Sequence, residues 1–150
     1  MTGMRVPAVT YRPQFNSEFG FAEAEPLIPY LDALGITDLY ASPLLQAREG
    51  SAHGYDVTDP RRIDPEVGGR IGFTELSAAL KAHRMGLLLD IVPNHMAAST
   101  ENPWWRDILR WGRHSTHAAK FDINWQAGQS GQGVGRVQCS KPGDPNGGDQ

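Results

Sequence analysis

Polar side chains follow an apolar run near the middle of the chain. Residues 87–97 read LLLDIVPNHMA, so three leucines lead into Asp90, and Asn94 and His95 come four and five residues later. A carboxylate, an amide and an imidazole all hydrogen-bond to hydroxyl-rich ligands. Function in parallel α/β folds gathers at the carboxyl ends of the strands, so we expect these groups at a ligand-binding rim. The spacing leaves open a second interpretation, in which Asp90 and Asn94 only brace a turn.

A second polar cluster lies upstream, at residues 50–60, which read GSAHGYDVTDP. It offers His53, Tyr55, Asp56 and Asp59 between glycines. Because it comes after the second predicted strand, the same rule places it at the same rim. An aromatic face packs against the apolar face of a sugar ring, while carboxylates and imidazoles bond the sugar hydroxyls. These residue types suit a carbohydrate. The alternative is a solvated loop of Gly and Asp.

The elements that must position these clusters alternate along the chain. Periodicity and turn signals predict strand, helix, strand, helix, strand and helix at residues 5–11, 24–34, 36–40, 73–85, 87–92 and 103–111, with a loop over 46–69. This is the βαβ rhythm of a parallel sheet. A doubly wound sheet and a (β/α)₈ barrel share it, and periodicity does not separate them. Since a barrel needs about 250 residues, this chain would hold only its first portion.

Individual residues predict where these elements begin, end and pack. Pro7 makes the first strand start late or lie at an edge. Helix boundaries are indicated by Pro26 at a first helical position, by Gly35 and Gly86 as stops, and by Asn102 as an N-cap. The unbroken apolar run over 87–92 predicts a strand covered on both faces. Ala24, Leu27, Ile28, Leu31 and Leu34 predict the apolar face of the first helix, and Trp104, Ile108 and Trp111 that of the third.

Composition excludes several classes of protein. A net charge of −3 gives no reason to expect a nucleic acid or membrane partner. The single Cys139 rules out an internal disulfide, and no apolar run or leader suggests a membrane span or signal peptide, so we expect a cytoplasmic protein. The sequence contains no nucleotide-binding motif, and its histidines do not have the spacing of a metal site, so we expect no cofactor and no metal. Residues 126–150 hold seven Gly and five Gln, and we expect a disordered or non-native tail there.

On the basis of both polar clusters, we find that residues 6–125 resemble the α-amylase superfamily (glycoside hydrolase family 13). DIVPNH, at residues 90–95, is similar to the D-x-x-x-N-H region at the end of that family's third barrel strand. More narrowly, the chain resembles the trehalose-forming branch of the family. The stretches that carry this likeness are YRPQFN at 11–16, PYLDALGITDLYASPLLQA at 29–47, GSAHGYDVTDP at 50–60, IVPNHMA at 91–97, NPWWRDIL at 102–109 and FDINW at 121–125.

The resemblance implies the first three β/α units of a (β/α)₈ TIM barrel over residues 1–125. It implies an isomerase that converts the reducing-end α-1,4 linkage of a maltooligosaccharide into an α,α-1,1 linkage. Tyr55 would stack on the sugar before the scissile bond, and His53, Asp56 and His95 would bind its hydroxyls. Asp90 and Asn94 would hold the rim in shape. The asparagine contacts calcium in some amylases, but no convincing set of oxygen ligands predicts a calcium site here.

The same resemblance implies that the catalytic groups are not in this chain. The family takes its nucleophile and its acid/base from later strands, which we expect beyond residue 150. We therefore expect an N-terminal fragment that is inactive alone and, with an open sheet edge, marginally stable. Two alternatives stay open. One is another α-amylase-type hydrolase or transglycosidase, and the other is a non-catalytic glycan-binding domain. The oligomeric state is not predicted.

Overall fold

The computed structural model describes residues 6–125, and the predicted tail lies outside them. The chain divides into two compact units between Ala97 and Ala98. The strands are β1 (Thr10–Tyr11), β2 (Asp38–Ala41), β3 (Leu45–Ala47), β4 (Val57–Ile63) and β5 (Gly86–Leu89). The helices are α1 (Phe21–Ala24), α2 (Ile28–Ala33), α3 (Gly69–Ala82) and α4 (Pro103–Trp111), with short 3₁₀ turns between some of them. No helix in the described part of the chain is long and apolar enough to cross a membrane.

A three-stranded parallel sheet organises the first unit. Its order is β1-β2-β5, with Tyr11 opposite Leu39 and Leu39 opposite Leu87. This confirms the predicted parallel α/β arrangement. β1 has only two residues and begins three residues after Pro7, as the missing N–H of proline predicts. All three strands therefore end at one edge of the sheet, where the residues that follow them can meet.

The first predicted helix is present, but a 3₁₀ turn interrupts it. α1 begins at Phe21, a 3₁₀ turn holds Pro26, and α2 follows, so the prediction that Pro26 opens the helix is wrong. A proline ring removes one backbone bond within the helix and favours such a break. Ala24, Ile28 and Leu31 are buried as predicted, whereas Leu27 and Leu34 are exposed. Gly35 has φ +83° and ends α2, which confirms the predicted stop.

The second predicted helix ends before its predicted stop. α3 starts at Gly69 rather than residue 73, and Arg84 takes the left-handed φ of +57° that was expected of Gly86. Arg84 N–H donates to the carbonyl of Lys81 and Met85 N–H to that of Leu80, the pattern of a Schellman motif. The buried side chain of Met85 secures this turn in the core, so a residue other than glycine tolerates the left-handed backbone.

The predicted loop over residues 46–69 is wrong. β3 and β4 form a separate antiparallel ribbon, with Ala47 opposite Val57 and irregular register on either side of Gln46. Gly, Asp and Pro obscured the strand signal, yet Val57 and Thr58 are buried. Thr58 Oγ1 donates to the carbonyl of Ala47 across the ribbon. The cluster at residues 50–60 therefore spans the ribbon's connection and the start of β4.

Packing of the helices against the sheet builds one core in the first unit. Phe15 and Phe21 meet edge to face at 5.2 Å between centroids, and Phe21 packs on Phe73 at 6.0 Å. Leu76 and Leu80 of α3 are buried beside them and form the inner face of that helix. Burial of such side chains stabilises the fold by roughly 1.5–3 kcal/mol each.

The last strand of the sheet is less covered than predicted. β5 carries the leucine run that we expected to be buried on both faces, but Leu89 is 51% exposed and Leu88 is also exposed. Each strand of a parallel sheet needs a covering layer on both faces. Leu88 and Leu89 point to opposite faces of the strand and both are exposed among the described residues, so the prediction of cover on both faces is wrong for this part of the chain.

Residues 98–125 belong to the second unit. α4 has the predicted bounds, and the side chain of Asn102 accepts from the backbone N–H groups of Trp104 and Trp105. The predicted stripe is wrong in part, because Trp105 and Ile108 are buried while Trp111 is exposed. Trp104 instead stacks on His117 at 5.2 Å. The three-residue spacing of Trp105 and Ile108, rather than the seven-residue one, marks the buried side of this helix.

Candidate functional site

Three side chains from distant parts of the sequence meet at the carboxyl edge of the parallel sheet. Tyr55 OH donates to Asp90 Oδ2 at 2.6 Å. Arg12 Nη2 donates to Tyr55 OH at 2.9 Å and to Asp90 Oδ2 at 3.1 Å. We call these three residues, with His95, the rim cluster. Arg12 directly follows β1 and Asp90 directly follows β5, so parallel pairing brings them to the same edge.

Electrostatics in the rim cluster keep the tyrosine neutral and the arginine charged. The hydrogen bond to Asp90 raises the pKa of Tyr55 above its ordinary value, and the same carboxylate raises the pKa of Arg12. Asp90 is only 16% exposed, and it has both partners in contact with one carboxylate oxygen. The predicted alternative, in which Asp90 only braces a turn, does not describe these contacts. Asp90 joins residues 78 and 35 positions away in the sequence.

His95 also contacts Tyr55, through the backbone. Its Nε2 lies 3.1 Å from the carbonyl oxygen of Tyr55, which is an acceptor. Its Nδ1 lies 3.1 Å from Asn94 Oδ1. The structure thus brings the imidazole and the phenol ring to one side of the sheet, as the two clusters predict. Both ring nitrogens already have partners within the protein.

His53 and Asp56 lie in the same loop as Tyr55 and mainly organise it. Tyr55 N–H donates to His53 Nδ1 at 3.0 Å, and the same nitrogen lies 3.8 Å from Asp56 Oδ1. The rings of His53 and Tyr55 stack with 5.9 Å between their centroids. Asp56 accepts from Ser51 Oγ. The fourth residue of this cluster, Asp59, lies on β4 with a bidentate bond from Arg61 and joins no rim contact among those described.

Backbone geometry explains how the loop reaches the rim. Gly54 has φ +74°, and a Cβ there would lie 2.8 Å from the carbonyl oxygen of Pro43, just beyond β2. Only glycine combines that φ with so close an approach. Gln14 Nε2 also donates to the loop, at 3.3 Å from the carbonyl oxygen of Ala52. The segments after β1 and β2 therefore hold the loop that carries Tyr55.

Arg12 and Gln14 are the residues that the sequence patterns missed. Arg12 Nη1 donates to Gln14 Oε1 at 2.9 Å, and both reach the Tyr55 loop. The signal was present, because both follow the first predicted strand, where the rim rule applies as it does after β5. The first strand is short and carries a proline, so its end was a weak signal in the sequence.

The rim cluster is not the cavity found beside α3. A cavity at the start of α3 is lined by Arg61, Arg62, Arg70 and neighbouring residues, and it contains none of the predicted site residues. The rim cluster instead lies at an open edge, with Tyr55 36% exposed. Within residues 6–125 no group of three or more His, Cys, Asp or Glu side chains is arranged to hold a metal ion. Converging side chains therefore define the site of interest.

Comparison with known proteins assigns the family. The sequence profile described as "Alpha amylase, catalytic domain" matches residues 26–133. The chain belongs to the α-amylase family. This family member has mixed α/β structure with parallel strands and matches the N-terminal part of a TIM-barrel enzyme, as the resemblance implied.

Individual relatives show which members of the α-amylase family this chain is similar to. A putative maltooligosyl trehalose synthase of Mycobacterium tuberculosis is 48% identical over 133 residues, which are 83% of this chain and 17% of that protein. The structure of maltooligosyltrehalose synthase from Arthrobacter ramosus superposes with a TM-score of 0.79 at 48% identity, over 81% of this chain and 16% of that one. An intracellular maltogenic amylase of Bacillus subtilis is 33% identical over 75% of the chain and 19% of its own length. The chain thus spans about a sixth to a fifth of these relatives.

Proposed function

We propose that this chain supplies part of the glucan-binding site of an enzyme that forms trehalose ends on maltooligosaccharides. The observation that carries the proposal is the convergence of Tyr55, Asp90 and His95 at the carboxyl edge of the sheet. The likeness to two maltooligosyltrehalose synthases supports the choice of reaction. The substrate would be a maltooligosaccharide. A cytoplasmic location and the absence of nucleic acid and membrane partners stay predictions from composition.

The proposed reaction exchanges one glycosidic linkage for another. A carboxylate attacks the anomeric carbon of the sugar before the scissile bond, while a carboxylic acid protonates the leaving oxygen; in retaining enzymes the two lie about 5–5.5 Å apart. The carboxylate is then bonded to the anomeric carbon, and the released glucose turns and attacks that carbon through its own anomeric hydroxyl, which breaks this bond and frees the carboxylate. That hydroxyl returns its proton to the acid/base, and an α,α-1,1 linkage results. Water must be excluded, because water attack at the same step would be hydrolysis.

The residues of this chain would hold the sugar while that exchange occurs. The phenol ring of Tyr55 has its hydroxyl fixed by Arg12 and Asp90, so the ring offers a face of set orientation for stacking. His95 would reach a sugar hydroxyl by giving up its contact with the exposed Asn94 amide. Asp56 and His53 would bond hydroxyls from the loop. Asp90 and Asn94 would keep the edge in shape, and no metal takes part in the proposal.

A reducing-end assay separates this function from its alternatives. Full-length protein is incubated with maltoheptaose, and reducing ends, free glucose and maltose are measured together. The trehalose-forming reaction consumes reducing ends without releasing glucose, whereas a hydrolase increases them. Unchanged reducing ends, with binding seen by tryptophan fluorescence, would indicate a non-catalytic glycan-binding protein. Neither binding nor turnover would refute the carbohydrate function altogether.

Substitution of Tyr55 tests the proposed stacking. Tyr55→Ala should weaken maltoheptaose binding by about 0.5–1.5 kcal/mol, roughly twofold to twelvefold, because an aromatic face is lost. Tyr30→Ala is the matched control, since Tyr30 is an exposed tyrosine of α2 in the same unit. Equal affinities for the two variants would remove Tyr55 from the binding surface.

A further inference from the structure

Arg12 occupies a central position in the rim cluster, and the preceding proposal uses it only as one of two contacts to the Tyr55 hydroxyl. One of its nitrogens, Nη2, donates both to the Tyr55 hydroxyl and to Asp90 Oδ2, at 2.9 and 3.1 Å. Tyr55 OH donates in turn to the same Asp90 oxygen at 2.6 Å. The three polar groups form a closed triangle of hydrogen bonds. A triangle of this kind fixes the phenol oxygen from two sides.

The sheet explains why an arginine is needed at this position. β1 and β5 lie on opposite sides of β2, so Arg12 and Asp90 leave strands separated by about 9–10 Å, two strand spacings. The guanidinium crosses the intervening strand, and its Cζ lies 5.3 Å from the centroid of the Tyr40 ring on β2. A planar cation packs on such an aromatic face. The contact guides the side chain across β2 toward Asp90.

The guanidinium also distributes its donors in two directions. Nη1 donates to Gln14 Oε1 at 2.9 Å, and Gln14 in turn reaches the carbonyl oxygen of Ala52 in the Tyr55 loop. Arg12 therefore supports the loop through its Tyr55 hydroxyl and through Gln14. An ammonium group carries its charge at one point and has no planar fork, so lysine cannot make the same set of contacts.

We propose that Arg12 is a positioning residue of the glucan site, whose guanidinium sets the orientation of the Tyr55 ring through the Tyr55 hydroxyl and Asp90. The inference rests on the proposed function, and it adds a specific residue after β1 to a site otherwise built from the β3–β4 connection and the segment after β5. Arg12 acts through Tyr55, so its loss should lower kcat/KM by leaving the bound sugar in a less reactive orientation.

The test compares arginine variants in the full-length protein. Arg12→Ala is measured beside Arg62→Ala, which removes an exposed arginine of β4 outside the rim cluster. Loss of reducing ends from maltoheptaose gives kcat and KM, and circular dichroism reports folding. We expect Arg12→Ala to lower kcat/KM by roughly 10- to 100-fold, since small misplacements of a bound substrate cost that much. Arg62→Ala should match the unsubstituted protein.

Chemical rescue separates positioning from a purely structural role. Methylguanidinium at non-denaturing concentration should restore part of the kcat/KM of Arg12→Ala, because the Arg12 side chain is 34% exposed and its site is accessible. The same compound should leave Arg62→Ala unchanged, and equal concentrations of potassium should rescue neither. Arg12→Lys should fold and keep less than a third of the activity, because one ammonium cannot reproduce the fork.

Each result decides the inference. Equal kcat/KM for Arg12→Ala and Arg62→Ala overturns it, and so does a loss in Arg12→Ala that methylguanidinium does not restore. If Arg12→Ala does not fold, Arg12→Lys replaces it, and full activity of the lysine variant overturns the inference. An unsubstituted protein that neither binds nor converts maltoheptaose refutes the proposed function instead, so the two failures are distinct.

Discussion

Adding one methyl group at Gly54 should move the loop that carries Tyr55. Gly54 has φ +74°, and an added Cβ would lie 2.8 Å from the carbonyl oxygen of Pro43 and 3.2 Å from its Cβ. Gly50, in the same loop, has nearly the same φ of +72°, yet nothing lies within 4 Å of an added Cβ there. The two glycines therefore share the backbone strain and differ only in the close approach.

The cost of each substitution follows from this geometry. A left-handed φ costs an alanine roughly 1–2 kcal/mol, so Gly50→Ala should lower the free energy of unfolding by about that amount. At Gly54 overpacking adds roughly 1–3 kcal/mol, for a loss of about 2–5 kcal/mol. Moving the Pro43 contact from 2.8 Å to an ordinary 3.4 Å displaces the loop by about 0.6 Å. We expect a shift of this size to lengthen the 2.6 Å hydrogen bond from the Tyr55 hydroxyl to Asp90.

Two measurements on the full-length protein check this prediction. Denaturant midpoints give the relative stabilities, and tryptophan fluorescence titration gives the dissociation constant for maltoheptaose. We expect Gly54→Ala to be less stable than Gly50→Ala and to bind maltoheptaose more weakly, while Gly50→Ala keeps the original affinity. Equal stability and equal affinity of the two variants would refute the reasoning, because the close contact with Pro43 would then have no consequence.

Two further predictions concern stability. Asn102→Ala should lower the free energy of unfolding by about 1–2 kcal/mol, because two backbone N–H groups of α4 lose their acceptor; Asn102→Ser, which keeps a capping oxygen, should lose much less, and equal denaturant midpoints would contradict this. The hydrogen bond from Arg61 lowers the pKa of Asp59 below 3.8, so their pairing stabilises the protein above that pH and is lost as pH falls through the lowered value. The midpoint should therefore fall less between about pH 6 and about pH 3 in Asp59→Asn than in the unsubstituted protein, and identical acid dependence would exclude this role.

Local sequence signals succeeded where a single side chain decides the backbone. Asn102 and Pro103 set the start of α4, and Gly35 ends α2, because caps and left-handed residues act within one helical turn. The parallel arrangement also followed from the alternation of strands and helices. Caps and helix stops depend on neighbours within about four positions, and the alternation of elements depends on the apolar pattern of each segment, so both are visible in the sequence.

Local signals failed where distant segments decide the outcome. The β3–β4 ribbon was predicted as a loop, because its Gly, Asp and Pro residues resemble a turn and pairing across the ribbon overrides that preference. Arg84 ends α3 in place of Gly86, because Met85 enters the core. Tertiary packing supplied the deciding free energy in both cases.

The sequence by itself determined the alternation of strands and helices in the parallel sheet. It also determined which polar residues follow the strands, including Tyr55, Asp90 and His95, because strand ends and polar clusters are recognised from short stretches of sequence. Only the tertiary structure decided how these groups meet. The hydroxyl of Tyr55 finds Asp90, 35 residues away, and Arg12 reaches across β2 to hold both. Hydrogen bonds depend on separations of about 3 Å in space, and parallel strands connected through helices bring distant positions of a chain to one edge of a sheet.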